Sequence, residues 1–141
     1  MRQFGLLIVW CLALAGCGSD RVSETIGVQV HAGNVIDLRA AEAGEWDRVC
    51  VLGPYSNDQT AKEALGFGWP VESRSSIQES DGISLLLFVL GQNVVHSVEH
   101  PRDQGDFSEL SGRCFPREQA QFVLRAGRAD GWPELVPRNG A

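Results

Sequence analysis

Lysine is nearly missing from this chain: Lys62 is the only one in 141 residues. Twelve Lys and Arg stand against 18 Asp and Glu, giving a net charge of −6. No run of basic residues breaks that balance, so there is no electrostatic footprint for nucleic acid and no such partner is expected. No apolar run reaches the roughly 20 residues that a membrane-spanning helix needs. There is no Cys-x-x-Cys pair and no Gly-x-Ser-x-Gly elbow, so the usual local signatures of a redox dithiol and of a hydrolase nucleophile are missing. No internal repeat is present either. What remains, 43% hydrophobic and 21% charged residues, is the composition of an ordinary folded domain.

The stretch that organises the reading is Leu14-Ala15-Gly16-Cys17. It closes an apolar segment running from Phe4 to Gly16 behind a single positive residue, Arg2. A charged start, a short apolar core and small residues before a cut site make up a secretory signal peptide. The cysteine directly after Leu-Ala-Gly resembles the lipobox of bacterial lipoproteins. That resemblance implies a diacylglycerol (palmitate-type chains) on the Cys17 sulfur, cleavage before it, and acylation of the new amine. It also implies a membrane partner through the anchor and a place in the cell envelope, facing the periplasm. Gly18 at the following position leans toward the outer membrane by the sorting rule of enteric lipoproteins.

The resulting layout is a signal peptide at 1–16, a lipidated cysteine and flexible tether at 17–34, a globular domain at 35–130 and a tail at 131–141. Gly, Ser, Asp, Arg, Thr and Gln dominate residues 18–30, which is the composition of a tether. Without residues 1–16 the chain has 125 residues and a charge of −7, from 11 basic against 18 acidic side chains. Cys11 leaves with the signal and Cys17 takes the lipid. Cys50 and Cys114 are then expected to be bridged in a compartment that permits disulfides. Two free buried thiols or a reactive pair are the alternatives. Closing so long a loop contributes on the order of 4–5 kcal/mol in the chain-entropy account.

Within the domain, Val35–Leu38 reads as a short edge strand and 39–43 as a helical turn. Trp46 to Leu52 reads as a strand with Trp46, Arg48, Cys50 and Leu52 on one face and Asp47, Val49 and Val51 on the other. Ser56 with Gln59 matches a capping box for a helix over Asp58–Leu65, stopped by Gly66. Ile83–Leu90 is apolar on both faces and eight residues long, which points to a central strand covered on both sides. Gly91-Gln92-Asn93 turns it back into Val94–His100, ended by Pro101. Residues 121–125 read as a last strand, and the tail frays. Hairpin links without sustained β-α-β alternation predict an α+β fold: a small antiparallel sheet with one or two short helices on a face.

His96-Ser97-Val98-Glu99-His100 spells the H-x-x-E-H signature of inverted zinc peptidases. In a helix, one turn brings two histidines together. In a strand, positions four apart are roughly 13 Å apart at about 3.3 Å per residue. Two nitrogens on one zinc must lie within about 4 Å. The β-forming valines and Pro101 favour the strand, so His96, Glu99 and His100 are weak metal candidates and no cofactor is expected. Asp103 and Asp106 sit in a polar loop and read as solvated surface, without the full oxygen set of a calcium loop.

Trp46-Asp47-x-x-Cys50 with Gly53-Pro54-Tyr55, followed by Leu65-Gly66-Phe67-x-Trp69, resembles a pattern of small bacterial envelope lipoproteins with no assigned activity. The resemblance spans about Trp46 to His100 and implies a fold only. Trp46, Tyr55, Phe67 and Trp69 are expected to pack the sheet–helix junction. The functional alternative is an aromatic-lined groove for a partner. The expected function is a non-enzymatic, membrane-anchored binding or envelope-assembly domain, with another envelope protein as partner. The alternative is a metal-binding or zinc-dependent enzyme using His96, Glu99 and His100.

Overall fold

The computed structural model describes residues 18–125 and 131–140. Cys17 and the segment before it lie outside the described residues, as do 126–130 and Ala141. The fold is α+β, built on two small antiparallel sheets.

The larger sheet has four strands in the order β4-β3-β2-β5. These are β2 (Arg48–Leu52), β3 (Ile83–Leu90), β4 (Asn93–Pro101) and β5 (Cys114–Pro116). β3 is central, as its apolar run requires: it pairs with β2 from Leu85↔Leu52 to Val89↔Arg48, and with β4 through the hairpin. Both faces are covered. Leu86 and Phe88 point to one side, and Leu85, Leu87 and Val89 to the other.

On the second side lies α3 (Asp58–Leu65), with the single-turn helix α4 (Val71–Arg74) and a 3-10 turn at Ile77–Glu79. Ala61 and Leu65 of α3, with Val71 and Ile77, close over Cys50, Leu52 and Leu87. The capping box of α3 falls one residue later than the sequence suggests: Asn57 Oδ1 accepts from the Thr60 N–H at 2.9 Å, and Thr60 Oγ1 accepts from the Asn57 N–H at 3.2 Å. Ser56 instead donates to Gly53 O at 2.7 Å. Gly66 ends the helix at φ 82°, a left-handed conformation that glycine adopts without a Cβ clash.

The first side corrects the sequence reading in two places. Gly18–His31, expected to be a tether, is a helix, α1. Val22, Ile26 and Val30 recur every four residues and bury one stripe against the sheet. Gly27 lies on that side too, and a Cβ there would stand 2.7 Å from Gln104 Oε1. The second correction is the tail: Leu135–Pro137 forms β7 rather than fraying, and Leu135 is buried.

β7 pairs with β6 (Gln121–Leu124), and β6 with β1 (Ile36–Asp37), in a three-stranded sheet of order β1-β6-β7. The helical turn α2 (Leu38–Ala41) follows β1, capped by the Asp37 side chain on the Arg39 N–H at 3.0 Å. Ile36, Leu38, Phe107, Phe115 and Phe122 join α1 in the core of this side, with the Phe107–Phe122 and Phe115–Phe122 rings edge-on at 5.3 and 5.1 Å. The α+β fold is as expected, with a second sheet and helices on both faces in addition to the single sheet with helices on one face.

Candidate functional site

Strand geometry disperses the H-x-x-E-H residues. On β4, His96, Val98 and His100 share the face toward α1, and Glu99 points the other way. Glu99 Oε1 accepts from Ser75 Oγ at 2.7 Å, the Ser76 N–H at 2.6 Å and Ser76 Oγ at 2.9 Å, and so ties down the segment after α4. Burial works to raise its pKa, but the Ser76 and Ser75 donors outweigh that and hold it below the usual carboxylate range. Among the described residues no three His, Cys, Asp or Glu side chains gather as a metal site.

His100 is 0% exposed, edge-on to Phe107 at 5.6 Å. Neither of its ring nitrogens has a hydrogen-bond partner, and neither does the buried hydroxyl of Ser84, its cross-strand neighbour. Burial depresses its pKa to about 4. Backbone groups of Gln104 and Gly105 and the carboxylates of Asp103 and Asp106 favour the charged ring without offsetting burial.

His96 has a different partner, Glu42 in the loop after α2. Its Nδ1 hydrogen-bonds Glu42 Oε2, and Glu42 Oε1 accepts from the Gly44 N–H at 2.9 Å. In the neutral ring this pairing makes Nδ1 the donor and leaves Nε2 as an acceptor. The pair lines a cleft of about 340 Å³ with Arg21, Thr25, Ala40 and Gly44. Thr25, the hydroxyl residue there, donates to Arg21 O at 2.9 Å. The cleft holds an oriented imidazole, and among its described lining residues there is no thiol and no free hydroxyl. Sequence reasoning missed this pair because 54 positions separate its members.

The four aromatic residues do not form one groove. Trp46 is buried on the α1 side, edge-on to Phe88 at 5.1 Å, and donates Nε1–H to Glu42 O at 2.8 Å. The Arg117 guanidinium stacks over it at 4.6 Å. Phe67 and Trp69 pack half-buried on the opposite face, against the α3-side core. Trp69 lines a shallow groove of about 350 Å³ with Asp58, Gln59, Lys62, Gly68 and Pro70. The Arg74 guanidinium lies 5.8 Å from its ring.

Tyr55 stands apart, 62% exposed, with φ 64°. Its N–H donates to Ile77 O at 2.8 Å, which holds the turn in place. A non-glycine residue in that region carries about 1–2 kcal/mol of strain. Tyr55→Gly is therefore expected to raise stability by about 0.5–1 kcal/mol in urea unfolding, after the entropy of glycine in the unfolded chain is deducted. A loss instead would show that the exposed ring makes a contact that outweighs the strain.

Of the two loop carboxylates, Asp103 is exposed as expected, and Asp106 is not. Asp106 is buried and takes Arg102 Nε and Nη2 at 2.9 and 3.0 Å. The same guanidinium donates to Asp81 O at 2.7 Å and Ser108 Oγ at 3.1 Å, and stacks on Trp132 at 4.1 Å. This clamp is structural, with the Arg102 donors committed inward. The bridge expected between Cys50 and Cys114 is present, joining directly opposed residues of β2 and β5 with Cα atoms 4.0 Å apart. Comparison with protein-family models, with curated proteins and with solved structures finds no match to this chain.

Proposed function

We propose that this chain is a lipid-anchored protein of a bacterial envelope whose domain is a non-catalytic binding or assembly module, similar to small envelope lipoproteins. The observation that carries the reading is Leu14-Ala15-Gly16-Cys17 at the end of a short apolar segment that follows Arg2. The Cys50–Cys114 bridge supports an oxidising compartment such as the periplasm.

The commitment of polar side chains supports a non-catalytic module. Glu99 is bound to Ser75 and Ser76, Asp106 to Arg102, and Glu42 to His96 and Gly44. The groove beside Trp69 is the surface offered to a partner protein of the envelope. It combines a half-buried aromatic with Lys62 and Asp58 at its edges.

Mass spectrometry of protein taken from bacterial membranes tests the anchor. The amino-terminal peptide should begin at Cys17 and carry acyl chains. An uncut, unmodified Met1 terminus in the cytosolic fraction would overturn the reading. Affinity capture from solubilised membranes should return one recurrent envelope protein, and Trp69→Ala should weaken its capture at least tenfold while thermal unfolding shows the domain intact.

A further inference from the structure

We propose that the folded domain rests directly on the bilayer, with the surface around the first turns of α1 against the lipid headgroups and no spacer between. The inference rests on the lipid-anchor reading and says where that anchor holds the domain. Cys17 is followed at once by α1, and five residues later Val22 is 2% exposed, packed with Ile26 and Val30 into the core.

Distance decides the matter. At a helical rise of 1.5 Å per residue, five residues put Val22 about 7.5 Å from Cys17. Fully extended, the same five residues reach at most about 17 Å. The core therefore starts within that distance of the acylated residue, whatever conformation the intervening residues take. A layer of polar headgroups is itself about 5–8 Å deep on each side of the hydrocarbon. Side chains extend a helix surface several ångströms beyond its axis, so most of the span is filled by lipid and protein.

The surface next to this point can be named. Arg21 and Glu24 are exposed on α1. Ala40 and Gly44 are exposed across the cleft they share with Arg21 and Thr25, with the Glu42–His96 pair at its wall. The partner is a headgroup layer, whose phosphates suit the exposed Arg21.

The test uses the full chain with its leader, purified from bacterial membranes and placed in a supported bilayer of phosphatidylethanolamine and phosphatidylglycerol. Neutron reflectivity measures the water layer between headgroups and protein. Protein density is expected to begin at the headgroups with no resolvable water layer. Twelve Gly and Ser residues inserted between Gly18 and Ser19 should add a gap of up to about 20 Å, the root-mean-square span of such a linker. The insertion leaves the Val22–Val30 stripe intact, and circular dichroism of the variant checks the fold. A water layer of about 20 Å under the unaltered protein, unchanged by the insertion, would overturn the proposal. Mass spectrometry of the same sample separates the two claims. Unmodified Cys17 overturns the anchor and the apposition with it, whereas acylated Cys17 beneath a water layer overturns the apposition alone.

Discussion

Replacing both Cys50 and Cys114 by alanine is expected to lower stability by about 4 kcal/mol. The bridge spans 64 positions of sequence, and cross-linking a loop of that length removes about that much chain entropy from the unfolded ensemble. At roughly 2.1 cal/mol/K per residue of unfolding entropy, a domain of this size should melt about 15 °C lower. The structure adds a local reason for a large effect. β5 has three residues, and the bridge fastens this short edge strand to β2 at Cys50↔Cys114. Behind it hang Phe107, Leu110 and Phe115, all buried in the α1-side core. Thermal unfolding of the bridged protein with and without a reductant makes the same measurement without mutation. Equal melting temperatures in the two conditions would mean that the sheet holds β5 without help from the bridge.

Acidification should be nearly as costly, and His100 is the residue responsible. It is neutral in the folded protein down to a pKa of about 4, whereas in the unfolded chain an ordinary histidine titrates near 6.5. Between those values the unfolded chain binds the extra proton, so stability falls as pH falls through that window and levels off below it. The full difference is about 3 kcal/mol. Carboxylates add a separate loss at lower pH. Asp37 is held at about 2, chiefly by the Arg39 side chain, so its contribution goes only as pH drops below the ordinary carboxylate range. His100→Leu separates the two. It removes a buried ring with two unpartnered nitrogens, so the variant should be about 1 kcal/mol more stable at pH 7. Its advantage should grow by about 3 kcal/mol on going to pH 4. Urea unfolding at pH 7, 5.5 and 4 reads both effects. His31 and His96 are common to the two proteins and cancel in the difference. A variant less stable than the parent at every pH would mean that the ring is satisfied after all.

The legible parts of the fold are those whose signals are local. Ile83–Leu90 announces a central strand because seven of the eight residues between Asp81-Gly82 and Gly91 are apolar, and no amphipathic reading fits them. α3 and its Gly66 stop follow from capping chemistry, with a one-residue slip because Ser56 and Asn57 are both good caps. α1 was hidden by composition. Gly18, Ser19, Asp20 and Gly27 resemble a linker, and glycine inside a helix costs about 1 kcal/mol. Gly27 faces a tertiary neighbour, the Gln104 side chain, that no window of sequence contains. β7 was hidden likewise. Pro133, Pro137 and Gly131 suggest a loose end, and only the ladder with β6 makes Leu135 a core residue.

The candidate site was less legible than the fold. Trp46 shares parity with Cys50, but β2 begins at Arg48, so the alternation does not extend back to the indole. The strand reading of β4 did separate the residues of the H-x-x-E-H motif correctly, because period two sends Glu99 away from both histidines. What replaced the motif, the Glu42–His96 pair, depends on the loop after α2 reaching β4 and has no local signature.

Gly105 has a consequence for how the chain matures. A Cβ at this residue would meet Leu135 Cδ1 at 3.1 Å and Val30 Cγ2 at 3.2 Å. The earliest described helix and the latest described strand thus converge on one glycine near the middle of the interior. In a polypeptide emerging lengthwise from a ribosome or a membrane channel, α1 can pack on β4 first, and the cover that Leu135 adds at Gly105 arrives only with β7. The α1 side of the core is therefore completed last, when nearly the whole length of the chain is out.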